Sequence, residues 1–541
     1  MLQTLLSLCL VLSKKTPKRS APRYRPAFRR LSCRPRLEAL EDRCLLSAGA
    51  LDPTFGNGAG YVTTSVSNAT IYGAQSVLLQ PDGKIIDVGV ANNFAKHGTF
   101  QGSDFAAVRY NADGTLDTSF GSAGLALVSP TSISSGSSMS DVAAALYPNT
   151  GTANDGKIVV EASYLVTQGK KNQTPIDELA LVRFNSNGTV DTTFGSGGEV
   201  LTLFSVGGTN VGVLHAGVVL TSTGQIVECG ETSTGTVLAR FNANGTLDTT
   251  FGQGGKVFTP GPQAQNLIQE SNGQLLAVGW EGNSGTVVRY NVDGTVDTTF
   301  GSGGVVTNAA FGAAGIYGVA VYPAAGTAND GKIVVAGGGG EVARYNTNGT
   351  LDSTFGSGGM VNTLRSVAIQ ADGKVVVSGD GSILERYNAD GSLDATFGTG
   401  GIDTTTVPAK SLTSVVIQAN GDIVAAGQAS TFLVARFLPS EPEIGSFTAS
   451  PSTVSAGSTT TLTASSITDL NANSSITQVT FYYYDSTGTK QTLGTGTQTS
   501  PGVWTLNYTV NLATGTYTID AQAEDSYGVF GDPLALTLTV Q

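Results

Sequence analysis

Only 13% of the 541 residues are charged, 71 are Gly and 4 are Cys, a composition that favours short strands and tight turns over helices and leaves no disulfide framework. Residues 1–43 hold 11 of the 29 Lys and Arg but three of the 41 acids, which leaves 18 basic and 38 acidic residues in the remainder. So acidic a body excludes binding to a phosphate backbone, which needs cations to release counterions, and no apolar run has the length of a membrane-spanning helix.

Taken in chain order, Met1 to Leu12 is mildly apolar and Lys14 to Arg36 is basic with four prolines. Leu45-Leu-Ser-Ala-Gly-Ala50 ends in small residues, as an export cleavage site does. Leu37-Glu-Ala-Leu-Glu-Asp-Arg-Cys-Leu-Leu-Ser47 resembles a leader motif of large exported, repeat-rich bacterial surface proteins. Residues 1–48 are therefore expected to be a disordered basic export leader, which places the protein outside the cell or at its surface. The competing reading is a basic tail that binds an acidic partner.

One phrase then recurs seven times: Leu51-Asp-Pro-Thr-Phe-Gly56, Leu116-Asp-Thr-Ser-Phe-Gly121, Val190-Asp-Thr-Thr-Phe-Gly195, Leu247-Asp-Thr-Thr-Phe-Gly252, Val296-Asp-Thr-Thr-Phe-Gly301, Leu351-Asp-Ser-Thr-Phe-Gly356 and Leu393-Asp-Ala-Thr-Phe-Gly398. The spacing of 42 to 74 residues belongs to propellers and arrays. Each unit predicts two hairpins. In the first, apolar β-branched runs flank Asp-Gly or Asn-Gly, as in Val77-Leu-Leu-Gln-Pro-Asp-Gly-Lys-Ile-Ile86.

The second hairpin is stricter, reading Val108-Arg-Tyr-Asn-Ala-Asp-Gly-Thr-Leu-Asp117 in its first copy. Asn-x-Asp/Asn-Gly suits a type I turn closed by a left-handed Gly. That turn sets Asn111 opposite Thr115, and hence Arg109 opposite Asp117. The same count pairs Arg183 with Asp191, Arg240 with Asp248, Arg289 with Asp297, Arg344 with Asp352 and Arg386 with Asp394. As exposed cross-strand pairs these contribute little, so their expected role is to penalise a one-residue slip.

The ends of the array are complementary. Leu51 to Gly56 has no Arg-containing strand before it, and Val434-Ala-Arg-Phe-Leu438 has no Asp-x-Thr-Phe-Gly after it. Pairing Arg436 with Asp52 closes a ring and hides the edges an open array leaves exposed. The expected fold is all-β: a seven-bladed β-propeller over residues 49–438, closed by its N-terminal strand. An open solenoid is the alternative. Asp-Gly-Lys-Ile, Arg-Tyr-Asn-x-Asp-Gly-Thr-Leu-Asp and Thr-Phe-Gly-x-Gly-Gly together resemble the delta-60 repeat family. That resemblance implies a propeller on an exported or surface protein and brings no catalytic residues.

Residues 439–443 read as a linker. From Ile444 to the last residue, segments such as Thr459 to Ala464, Gln478 to Tyr484, Val503 to Val510, Thr516 to Ala523 and Leu534 to Val540 alternate apolar and polar residues. They predict an immunoglobulin-like β-sandwich over 444–541, with Trp504 and Tyr508 in its core. Phe447 to Gly457 and Ala521 to Gly528 resemble bacterial Ig-like modules, which implies a spacer or adhesive unit.

No residue pattern specifies a reaction. Asn111-x-Asp-Gly-x-Leu-Asp117 mimics the middle of a calcium loop, but Arg109 and Phe120 fall at its first and twelfth positions. His97 and His215 stand outside any metal or nucleophile motif. Cys229 reads as a buried thiol. Asp104, Glu178, Glu228 and Glu281 break the repeat and are the candidates for a carboxylate cluster at the ring's face.

The expected protein is therefore a noncatalytic, monomeric binding or scaffolding module with no cofactor, metal or nucleic acid. Its partner would be a protein or carbohydrate at the cell surface, docked on propeller loops or in the channel. The segments Tyr147 to Gln173 and Asn92 to Asp104 are the candidate loops. The alternative is an extracellular polysaccharide hydrolase or lyase with acids at the channel mouth.

Overall fold

β-branched and small residues alternate around Gly-containing turns through most of the chain, and they form antiparallel hairpins. The computed structural model describes residues 48–541 except 68, 96–98, 130–137, 167–175, 363–365, 405–406, 428, 440, 470–474, 486–488, 527–529 and 532. The chain divides into two units, Met1–Cys44 and Leu45–Gln541. The first, and with it the body of the expected leader, lies outside the described residues.

Seven four-stranded antiparallel sheets follow one another. Sheet 1 is Ala69–Leu79, Ile85–Phe94, Phe100–Tyr110 and Leu125–Val128. Sheet 2 is Met139–Leu146, Ile158–Val166, Ile176–Phe184 and Glu199–Thr202. Sheet 3 is Leu214–Leu220, Ile226–Thr232, Gly235–Phe241 and Lys256–Pro260, and sheet 4 is Gln263–Gln269, Leu275–Glu281, Ser284–Tyr290 and Val305–Asn308. Sheet 5 is Ile316–Val321, Ile333–Gly337, Glu341–Tyr345 and Met360–Asn362, and sheet 6 is Ser366–Ile369, Val375–Ser378, Leu384–Tyr387 and Ile402–Asp403. Sheet 7 takes Leu412–Ile417, Ile423–Gly427 and Phe432–Phe437 from the end of the array and Tyr61–Thr64 from its start. The first strand of each sheet lies against the first strand of the next, and that of sheet 7 lies against that of sheet 1.

Backbone bonds set the register of the outer hairpins. Asn111 N–H donates to the Thr115 carbonyl at 2.8 Å, Tyr110 bridges Leu116, and Asp117 N–H donates to the Arg109 carbonyl at 2.9 Å. Gly114 closes this turn at φ +82°, a conformation that costs a residue with a Cβ about 1–2 kcal/mol. In sheet 7 two distant segments replace the turn. Asp52 N–H donates to the Arg436 carbonyl, Gly49 N–H to Leu438 and Leu438 N–H to Ala50, each at 2.9 Å.

The core lies in layers between successive sheets. Phe55, Phe120, Phe194, Phe251, Phe300, Phe355 and Phe397, one from each copy of the repeated phrase, are all fully buried. Each contributes about 1.5–3 kcal/mol by leaving water. Among the described residues the single helical element is a short 3-10 turn, Ala309–Ala314, and no helix is long and apolar enough to cross a membrane.

The C-terminal residues form two further sheets. One orders Glu443–Ser450, Thr459–Thr468, Val503–Thr509 and Thr497–Ser500; the other orders Thr453–Val454, Leu534–Val540, Gly515–Asp525, Ile476–Tyr484 and Lys490–Thr495. They share one core that includes Leu462, Phe481, Trp504, Tyr508, Ile519 and Leu538.

Candidate functional site

Antiparallel order gives each of the seven sheets two chemically distinct ends. The turns between strands one and two and between strands three and four lie at one end. The turn between strands two and three lies at the other, with the links to the next sheet.

The first end is a chain of fasteners. Arg Nε donates to Asp Oδ2 at 2.7–2.8 Å in Arg109–Asp117, Arg183–Asp191, Arg240–Asp248, Arg289–Asp297, Arg344–Asp352, Arg386–Asp394 and Arg436–Asp52. None of these fourteen residues is more than 8% exposed, so they are not the solvated pairs of the sequence reading. The burial has a geometric cause. Each guanidinium crosses to a neighbouring segment, with Arg109 Nη1 donating to the Ser186 carbonyl, Arg240 to Val292, Arg289 to Thr347 and Arg436 to Ala112, at 2.5–2.6 Å. Arg183 reaches Ala243, Arg344 reaches Ala389 and Arg386 reaches Pro439 in the same way.

The repeated Gly adds a second bond to the same neighbour. Gly121 N–H donates to Asn187 at 2.7 Å, and Gly56 N–H to Asp113 at 2.9 Å. After sheet 6 no intact turn is available, and the fastener uses both ends of the array: Arg386 takes Pro439, and Gly398 N–H takes the Ala48 carbonyl at 2.7 Å. Each guanidinium carbon also sits 4.4–4.8 Å from the ring centroid of the repeated Phe, a contact worth about 1–2 kcal/mol when desolvated.

Sequence reasoning missed a third donor. Lys84, Lys157, Lys332 and Lys374 reach Asp117, Asp191, Asp352 and Asp394 at 2.7–2.9 Å, and Gln225 and Gln274 reach Asp248 and Asp297 at 2.5 and 2.9 Å. The recurrence of Lys or Gln after the Gly of the first hairpin was the available signal. Burial by itself raises the Asp117 carboxyl, but Lys84, Ser119 and Arg109 outweigh it and hold the group well below the usual carboxylate range. Carboxylates so held stay ionised and do not act as general acids near neutrality. In sheet 7 the equivalent position is Asp422, whose Oδ2 lies 3.6 Å from Arg436 Nε.

The opposite end carries the residues that break the repeat. Trp280 Nε1, in sheet 4, donates to Glu231 Oε2 of sheet 3 at 2.9 Å. Asp104 Oδ1 accepts from Ser129 and Oδ2 from Asn93. Phe94 is exposed and meets Phe100 edge-on at 5.9 Å. Glu281 is exposed beside Gly261. The candidate segment Tyr147 to Gln173 divides between the two ends. Its Tyr147–Lys157 loop is at the fastener end, with Tyr147 N–H bonded to the Lys157 carbonyl, and 167–175 lies outside the described residues.

The four candidate carboxylates stand in four different sheets. Glu228 is not at a rim: it is fully buried between sheets 2 and 3, as is Glu161, which the sequence reading overlooked. Among the described residues neither carboxyl has a hydrogen bond of ordinary geometry, although the Thr202 side chain lies near Glu228. Burial pushes Glu228 up to about 8, with Thr202 and Lys256 tempering the shift, and burial plus the charge of Glu228 raise Glu161. Cys229 is a fully buried free thiol raised by burial. His215 lies in the first strand of sheet 3, and His97 lies outside the described residues. In the calcium-like turn, Asp113 Oδ1 accepts from Thr115 N–H at 2.9 Å and from the Thr115 hydroxyl at 2.6 Å, so its oxygen is spent on the turn itself. Among the described residues no three His, Cys, Asp or Glu form a metal-binding group.

A family described as a domain of unknown function (DUF5122) β-propeller matches residues 80–120, 172–194, 221–251, 270–300, 328–355 and 370–397. The chain is a β-propeller repeat protein. Among solved structures it is similar to the WD40 β-propeller domain of Doa1, at 13% identity over 70% of this chain and 97% of that one, with a TM-score of 0.37. It is similar to the extracellular domain of a hybrid two component system from B. thetaiotaomicron, at 13% identity over 89% of this chain and 58% of that one, with a TM-score of 0.36. Raptor from Chaetomium thermophilum is matched at 10% identity over 73% of this chain and 29% of that one, with a TM-score of 0.42. No curated protein matches.

Proposed function

We propose that the seven sheets are the blades of a closed propeller over residues 49–438, with an Ig-like sandwich over 444–541 after a linker at 439–443. Supporting this reading, Tyr61–Thr64 completes the sheet begun by Leu412–Ile417, and first strands adjoin from sheet 1 through sheet 7 and back. Two sheets on one shared core support the sandwich. We further propose that the chain is an exported, noncatalytic binding or scaffolding protein. Its partner, a protein or carbohydrate at the cell surface, docks on the end that bears the turns between strands two and three.

One observation carries that choice of face. The fastener end repeats one chemistry and commits its Arg, Asp and turn carbonyls to neighbouring segments. The other end varies, and there Trp280, Glu231, Glu281, Phe94 and Asp104 depart from the repeat. Variable residues on a rigid scaffold are the usual carriers of recognition. Three of the four carboxylates weigh against the hydrolase reading, since Glu228 and Glu178 are buried and Asp104 is bonded on both oxygens.

A panel of soluble glycans and surface proteins, assayed with the full chain for capture and for product release, tests the reading. Capture that falls with Trp280→Ala or Glu281→Ala and survives Asp82→Ala at the fastener end supports it. Capture that falls only with Asp82→Ala refutes the face, and product release refutes the noncatalytic role.

A further inference from the structure

The C-terminal region has a groove of its own. Pairing between Ile476–Tyr484 and Gly515–Asp525 runs from Ile476↔Asp525 to Tyr482↔Asp520 and stops. Both strands continue, Tyr484 paired outward with Lys490 and Gly515 paired outward with Val540. The strands part, and a groove of about 620 Å³ opens, lined by Tyr483, Tyr484, Tyr517, Asp485, Thr518 and Asp520 among others. That volume is in the range of small-ligand clefts.

Its aromatic walls are held in place. Tyr484 meets Tyr482 at 5.7 Å and 90°, and Tyr483 meets Tyr517 at 5.6 Å and 83°. Tyr484 is nevertheless 57% exposed, more than any other large apolar side chain in the structure's described residues. Rings fixed before binding lose little entropy when a ligand covers them.

The charge of the groove selects the ligand. Thr489 N–H and Gln491 Nε2 are among the donors to Asp485. Asp520 receives no hydrogen bond among the described residues; partial burial raises its carboxyl and Lys490 opposes the rise. Lys490 Nζ sits 3.6 Å from the centroid of the Tyr482 ring, so a cation already occupies an aromatic face at this edge. A neutral sugar does nothing for the Asp520 carboxylate, and a calcium ion needs six or more oxygen ligands where tyrosine faces stand. A cation without hydrogen-bond donors suits both the π faces and the carboxylate.

We infer that this groove binds a small quaternary-ammonium ligand, its methyl groups against Tyr483, Tyr484 and Tyr517 and its charge facing Asp520. The inference does not rest on the propeller face proposed above. Calorimetric titration of the full chain with choline tests it, against the uncharged isostere in which a quaternary carbon replaces nitrogen, and against glucose. Choline is expected to bind, and Tyr484→Ala, Asp520→Asn and loss of the ligand's charge are each expected to weaken binding at least about tenfold. Tyr484→Phe, which keeps the ring, retains binding, and Trp280→Ala leaves it unchanged. Equal affinity for the uncharged isostere, preference for glucose, insensitivity to both groove variants, or no choline binding by the folded chain overturns the inference.

Discussion

Arg436 and Asp52 stand 384 residues apart in the chain, and Nε of one lies 2.7 Å from Oδ2 of the other. Arg436 also holds Asp422 at 3.6 Å. Breaking a buried ion pair by removing one member costs about 3–5 kcal/mol, because the survivor is left uncompensated. Arg436→Leu strands two carboxylates, whereas Asp52→Asn leaves Arg436 with Asp422. The Arg436 variant is expected to lose the more stability in chemical denaturation. Equal losses would mean that Asp422 takes no share of the cation.

Asp422 makes the same seam sensitive to acid and base. Burial lifts its carboxyl to about 6; Arg436 and Asn420 pull it down, and Asp52 pushes it up. The folded chain thus keeps a proton that the unfolded chain has released. The Asp422 contribution to stability is expected to fall as pH rises from about 4 to about 6, then to level. Asp422 occupies the position of Lys84, Lys157, Lys332 and Lys374 in other sheets. Asp422→Lys is therefore expected to abolish the fall and to add about 1–3 kcal/mol at neutral pH, read from denaturation midpoints across pH.

Glu161 and Glu228 extend the pattern to higher pH. Both are fully buried and raised, Glu228 to about 8, so the folded state holds protons that the unfolded state gives up at lower pH. The Glu228 contribution to stability is expected to decline from about pH 4.5 to about 8, above which the group is ionised in both states. Glu161→Gln and Glu228→Gln should each flatten that decline in thermal melts recorded across pH. A decline of unchanged slope in both variants would place the proton release elsewhere.

The turn glycines separate two costs. A Cβ on Gly188, at φ +82°, would lie 2.6 Å from Gly121 N, whose N–H bonds Asn187 across the sheet boundary. A Cβ on Gly83, at φ +84°, would meet the Ala112 Cβ at 3.2 Å. Both alanine variants bear the left-handed penalty of about 1–2 kcal/mol. Gly188→Ala also disrupts the fastener and is expected to be the more destabilising, by denaturation of the two variants side by side.

Hairpins and turns were legible because their determinants are local. Asn-x-Asp-Gly dictates a left-handed Gly, and alternation dictates which residues share a face. The polar edge strands Lys490–Thr495 and Thr497–Ser500 were missed, since exposed Thr, Gln and Ser carry no alternation to read. The reach of Arg109 to Ser186 was illegible for a different reason: a repeat shows what each unit contains, not what it offers its neighbour. Glu161 opposite Glu228 was hidden because the two occupy successive positions of different sheets, and only packing brings the layers together.

What this chain's sequence determined by itself is the repeated unit: strand, turn, strand, and the opposition of Arg to Asp, all set by contacts within about ten residues. Tertiary structure decided that those pairs are buried, that each Arg serves a neighbouring segment as well as its own hairpin, and that Ala48 and Pro439 stand in for a missing turn. The division follows from the forces involved. Backbone conformation is chosen residue by residue, whereas burial and the balance of charge depend on which surfaces meet.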